Sequence, residues 1–133
     1  MQHAKHILWI LVALTASCSD NMSETSGAEV RYVPIGVETF VAITVQGIQS
    51  SAAIPLSQAE LDGIMEVLDS AGATGEEFDE MRVRVMIDFP DSESVYVDNE
   101  GGIRRQTGEV GRIENSKLQD LKGIIERAAA RSE

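Results

Sequence analysis

Met81, Val83, Val85, Ile87 and Phe89 alternate strictly with Arg82, Arg84, Met86 and Asp88, and together they form the clearest strand in the chain. Successive side chains of a strand point to opposite faces, so this segment has one apolar face that another element must cover. Pro90-Asp91-Ser92-Glu93 then supplies turn chemistry, Val95 and Val97 flank an outward Tyr96, and Asp98-Asn99-Glu100-Gly101-Gly102 turns the chain again before Ile103. The spacing predicts a meander of two or three antiparallel strands.

Two helices can supply the cover. Ser57-Gln58-Ala59-Glu60 has the spacing of a capping box, in which the Ser oxygen and the Glu carboxylate satisfy orphan amides at a helix start. Leu61, Ile64, Met65 and Leu68 follow at i, i+3, i+4 and i+7, on one face, and Gly72 provides a stop. Ser116 with Gln119 forms a second box ahead of a stripe of Leu118, Leu121, Ile125 and Ala128. That helix ends near Arg131, with Arg127 and Arg131 placed to suit the helix dipole. Earlier in the chain, Val37, Val41, Ile43 and Val45 alternate with polar or small residues as a strand would, and Pro34 puts residues 30–35 at an edge or a turn. A short strand over residues 49–53 leads into Ile54-Pro55-Leu56. The order of elements predicts an α+β domain: a small antiparallel sheet of about four to five strands with two amphipathic helices packed on one face. Leu61-Asp62-Gly63-Ile64-Met65-Glu66 matches Leu121-Lys122-Gly123-Ile124-Ile125-Glu126 at four of six places, 60 residues on. Two readings stay open: two strand-strand-helix units, or a chance likeness of two amphipathic helices.

The first residues carry an address. Lys5 lies in a positive leader, and Ile7 to Leu14 are eight unbroken apolar residues. A run this short cannot cross a hydrocarbon core roughly 30 Å thick as a helix, but it suits a signal peptide. Small residues then lead to the sole cysteine in Leu14-Thr15-Ala16-Ser17-Cys18. This resembles the lipobox of bacterial lipoproteins, although Thr15 stands where Leu, Val or Ile is usual. The resemblance implies a diacylglycerol on the Cys18 thiol, cleavage just before it and acylation of the freed amine. Ser19 follows, whereas Asp at that place tends to retain lipoproteins at the inner membrane, so the periplasmic face of the outer membrane is the expected location. The expected organisation is a signal peptide over 1–17, the lipidated Cys18 with a flexible polar tether over 18–29, and a single domain over 30–131.

Charge and missing chemistry narrow the function. The chain has 22 acidic and 11 basic residues; without Lys5 the balance is 22 against 10, or −12. Such a surface repels nucleic-acid phosphates and keeps a protein soluble. His3, His6 and Trp9 all precede the expected cut, so imidazole catalysis and the usual zinc sites are excluded from the mature chain. Lys117 and Lys122 sit on the last helix among charged positions, which does not suit a catalytic lysine that needs burial. Carboxylates are plentiful, but nothing selects a pair. The Asp98 to Gly102 stretch lacks the alternating ligands of a calcium loop and reads as a β-turn, and no cofactor is implied. No catalytic or metal-ligating residue is therefore assigned, and Cys18 is the one assigned site, for lipid.

The expected function is a non-enzymatic, membrane-anchored envelope module. A sheet edge or the acidic loops would bind a protein partner, with no partner-binding residue assigned, and weak surface cation binding by Glu76, Glu77, Asp79 and Glu80 stays open. The alternatives are an inhibitor of an exported hydrolase and a small enzyme using carboxylates alone. The order strand, strand, helix, strand, strand, helix is loosely similar to the emfourin family of metalloprotease inhibitors, without a shared motif from which residues could be carried over.

Overall fold

The computed structural model describes residues 25–36, 39, 41–74, 77–91 and 93–132. The leader, Cys18 and the start of the tether lie outside the described residues. Seven strands form one antiparallel sheet: β1 (Thr25–Tyr32), β2 (Ile54–Ser57), β3 (Gly72–Ala73), β4 (Val83–Asp88), β5 (Ser94–Asp98), β6 (Gly102–Arg105) and β7 (Val110–Arg112). Their spatial order is β2-β1-β4-β5-β6-β7-β3. The helices are α1 (Val45–Ile48), α2 (Gln58–Asp69) and α3 (Asn115–Ser132).

The α+β class and the antiparallel pairing follow from the alternation, but the sheet exceeds the four to five strands expected. Two of the additional strands, β3 and β7, have two and three residues, too short to show any apolar period. They are visible only through pairing: Ala73 opposite Gly111, and Ile103 opposite Gly111 on the other side.

Register sorts the side chains. Val30, Ile87 and Val95 lie in one row, and Val85, Val97 and Ile103 in another, all on one face. Leu61, Ile64 and Leu68 from α2 and Leu118, Leu121, Ile125 and Ala128 from α3 close over them in a single buried cluster. The α3 stripe is buried at every expected position. In α2, however, Met65 is 39% exposed and Val67 is buried in its place. Gly63 explains the close approach of the helices, since a Cβ there would come within 3.0 Å of the Ile124 Cδ1. The sequence echo does not translate into equal environments: Ile64 is buried where Ile124 is half-buried, and Met65 is exposed where Ile125 is buried.

The opposite face departs most from expectation. Arg84, Met86 and Tyr96, read as outward, are all buried. Met86 and Tyr96 join Ile48, Phe78 and Val83 in a second, smaller cluster, against which Val33, Ile43, Val45 and Val110 pack. The strand expected around Val41, Ile43 and Val45 is instead a crossing segment: Ile43 makes one parallel bridge to Arg82, and Val45 begins a single helical turn capped by the Thr44 hydroxyl. Val37 lies outside the described residues. The first strand begins at Thr25, inside the stretch expected to be tether, and it lies between β2 and β4 rather than at an edge. Its start is hidden in polar sequence because Thr25 and Glu29 are both exposed and the register slips between them. Helix α3 opens at Asn115, one residue before the Ser116 read as its cap.

The two neighbours in α2 make a direct test of this packing. Ile64→Ala should cost about 2–5 kcal/mol in urea unfolding. Met65→Ala should cost less than about 1 kcal/mol, as an exposed substitution does. Equal losses would contradict the observed burial.

Candidate functional site

A sheet offers a partner its edges or its faces, and the β2 edge is closed. Leu56 turns its carbonyl toward β1, where it accepts from the Ser26 hydroxyl at 2.9 Å, so Pro55 and Ser57 present the outward backbone groups. Pro55 has no N–H, and its carbonyl accepts from Arg131 Nη2 at 3.0 Å. The Ser57 N–H donates to Glu60 Oε1 at 2.8 Å, while Arg131 Nη1 donates to Glu60 Oε2. The Ser57 hydroxyl completes the capping box by accepting from the Glu60 N–H at 3.2 Å. As helix cap, Ser57 also directs its carbonyl into the first turn of α2. At the far edge β3 has two residues, and a short edge strand is a poor template for pairing.

Burial at the start of α2 opposes ionisation of Glu60. Hydrogen bonds from Arg131 and from the Ser57 backbone and hydroxyl outweigh it and hold the Glu60 carboxyl below its ordinary range. A lowered folded-state value contributes stability that is complete above the unfolded value and lost as pH falls through the folded one.

One open recess lies on the face away from α2 and α3. Residues 77–81 form a wall over β6 and β7, leaving a groove of about 830 Å³ lined by Glu77, Phe78, Asp79, Glu80, Arg104 and Val110, with Gly108 at its rim. Phe78 fastens the wall by packing into the second apolar cluster. Asp98, 2% exposed, fastens it by hydrogen bonding. Its Oδ2 accepts from the Asp79 N–H at 3.1 Å, and its Oδ1 accepts from the N–H groups of Glu100 at 2.9 Å and Gly102 at 2.8 Å. Gly102 is required for this, because a Cβ there would collide with the Asp98 carboxylate. Glu80 meets Arg104 at 2.5 Å and Asp79 meets Arg82 at 3.8 Å. These exposed pairs add at most about 1 kcal/mol each, so the buried carboxylate is the stronger tie.

Two large apolar side chains are exposed, Met81 at 58%, in the same stretch as the wall, and Val41 at 74%, two residues before Ile43. Their segments are joined where the Ile43 N–H donates to the Met81 carbonyl at 3.2 Å and the Val83 N–H to the Ile43 carbonyl at 2.9 Å.

The acidic loop singled out in the sequence is therefore the groove wall at Glu77, Asp79 and Glu80; Glu76 lies outside the described residues. All three of these residues are exposed. Residues 98–102 turn the chain as expected, with the Asp98 oxygens directed inward to amides. Among the described residues, no group of three or more His, Cys, Asp or Glu side chains could hold a metal ion, and no helix is long and apolar enough to cross a membrane. Lys117 and Lys122 are half-buried on α3. Arg104, Val110 and Phe78 have no signal of their own in the sequence, and Asp98 is legible there only as the first residue of a Gly-rich turn.

No family model, curated protein or solved structure matches the chain.

Two substitutions test these ties. Glu60→Gln should lower stability at neutral pH by about 0.5–2 kcal/mol, the usual worth of a helix cap. The deficit should shrink on acidification, because protonated Glu60 and Gln then hydrogen-bond alike; a pH-independent deficit in chemical unfolding would contradict the ionised clamp. Asp98→Asn sets an amide N–H₂ against backbone donors and should cost about 1–3 kcal/mol. Hydrogen exchange should show the Asp79 amide losing protection.

Proposed function

We propose that the protein is an exported lipoprotein, cut before Cys18 and held on the cell envelope by acyl chains there, whose domain binds a protein partner without catalysing a reaction. The observation that carries the binding half is the groove, where an acidic wall and an apolar lining meet and the exposed Met81 follows the wall residue Glu80 directly in the chain. The closed β2 edge supports a face rather than strand addition as the mode of recognition. The anchoring half rests on the leader and on the thiol of Cys18. Two or three acyl chains hold a protein nearly irreversibly, at about 0.8 kcal/mol per buried CH₂.

The geometry supports a consistent orientation. Cys18 precedes Thr25 by seven residues, a reach of at most about 25 Å. Thr25 lies beyond the Asp88 end of β4, since Glu29 pairs with Asp88, and Met81 lies beyond the other end. Six residues of strand separate those ends by about 20 Å. A lipid at Cys18 would thus draw the Thr25 end toward the bilayer and leave Met81 facing away from it.

The test uses protein isolated from its own membranes. Mass spectrometry should find the mature chain beginning at a diacylglyceryl Cys18. A photoreactive residue at position 81 should yield a discrete protein adduct that one at position 66, on α2, does not. An unmodified chain beginning at Met1 would overturn the anchor; equal or absent adducts would overturn the binding face.

A further inference from the structure

Within this protein-binding reading, we propose that the groove receives an extended basic segment of a partner, in which Lys or Arg side chains alternate with aliphatic ones. The groove lining holds three carboxylates, Glu77, Asp79 and Glu80, against one guanidinium, Arg104. Glu80 and Asp79 have internal partners in Arg104 and Arg82, while Glu77 has no ion pair among the described residues. An incoming cation can pair with Glu77 directly and share Glu80, whose side chain is 65% exposed and free to accept on its other oxygen.

Charge alone would not fix a chain in place, because the remaining surface is acidic as well. The apolar half of the site supplies the distinction. Val110 lies within the groove, and Met81, exposed and next in the chain to Glu80, stands at the end of its wall. In an extended peptide successive side chains point to opposite sides, and those on one side recur about every 6.6–6.8 Å. One set can then meet carboxylates while the other meets Val110 and Met81. The net acidity of the domain would steer a cationic partner toward it and repel anionic lipid headgroups, which favours a peptide over a membrane surface as occupant. An open groove of this size also suits a chain segment better than an enclosed small molecule.

The experiment measures fluorescence anisotropy of labelled eight-residue peptides with the full lipidated protein in phosphatidylcholine nanodiscs, at about physiological salt. Alternating lysine-valine should bind at least tenfold tighter than alternating lysine-glycine or glutamate-valine. The double variant E77K/E80K should weaken lysine-valine binding tenfold or more. The charge-matched double variant E66K/D69K, on the exposed side of α2, should leave it within twofold. M81Q, a single exposed substitution that tests the apolar contact without disturbing the charged wall, should erase the preference for valine over glycine.

Equal weakening by both double variants would overturn the proposal, since general charge would then explain it. So would equal affinity for the lysine-glycine peptide, or no binding by the parent. If the peptide fails while position 81 still yields its discrete adduct, the basic chemistry falls and the protein-binding reading stands; if position 81 yields none either, both fall.

Discussion

A carboxylate shut away from water must find donors or lose its charge, and Asp98 finds three backbone N–H groups. Two lie in its own turn and one, of Asp79, reaches in from the groove wall. This single side chain therefore shapes the β5–β6 connection and holds residues 77–81 against the face opposite the two long helices. Without it Phe78 would lose the tether that keeps it over Met86 and Tyr96, and the groove would lose its wall. Gly102 belongs to the same arrangement, because the carboxylate occupies the space its side chain would need, whereas at Gly101, with φ +94°, the Ile113 carbonyl stands in that place.

Much of the fold was legible where a residue's role depends on near neighbours. The alternation through Val83, Val85 and Ile87 located β4, the Ser57 to Glu60 spacing located the start of α2, and the stripe from Leu118 to Ala128 located α3. What stayed hidden depends on distant contacts. Arg84, Met86 and Tyr96 look outward in a period of two that assumes one wet face, and only the crossing segment makes the second face dry. Met65 fits the helical stripe as well as Ile64 does, yet the angle at which α2 meets the sheet leaves it in water. Short strands of Gly-Ala or Val-Gly-Arg have no pattern of their own and exist because a neighbour pairs with them.

The site divides along the same line. Its acidic wall stood out in the sequence as a run of carboxylates, but charge density alone could not distinguish a solvated loop from one side of a groove. The opposing residues, Arg104 and Val110, come from a hairpin about 25–30 positions later, and sheet pairing alone brings them under the wall. The absence of imidazole from the chain after Cys18 was readable from composition, and it limits the chemistry whatever the fold.

The β2 edge is protected by parts that arrive at different times. Pro55 is without its N–H from the moment it joins the chain, and Glu60 follows five residues later. Arg131, which occupies the Pro55 carbonyl and braces Glu60, comes 71 residues after Glu60. The edge is therefore fully guarded only once α3 has docked: a chain shortened before Arg131 would keep the proline and the capping carboxylate but leave the Pro55 carbonyl without its donor.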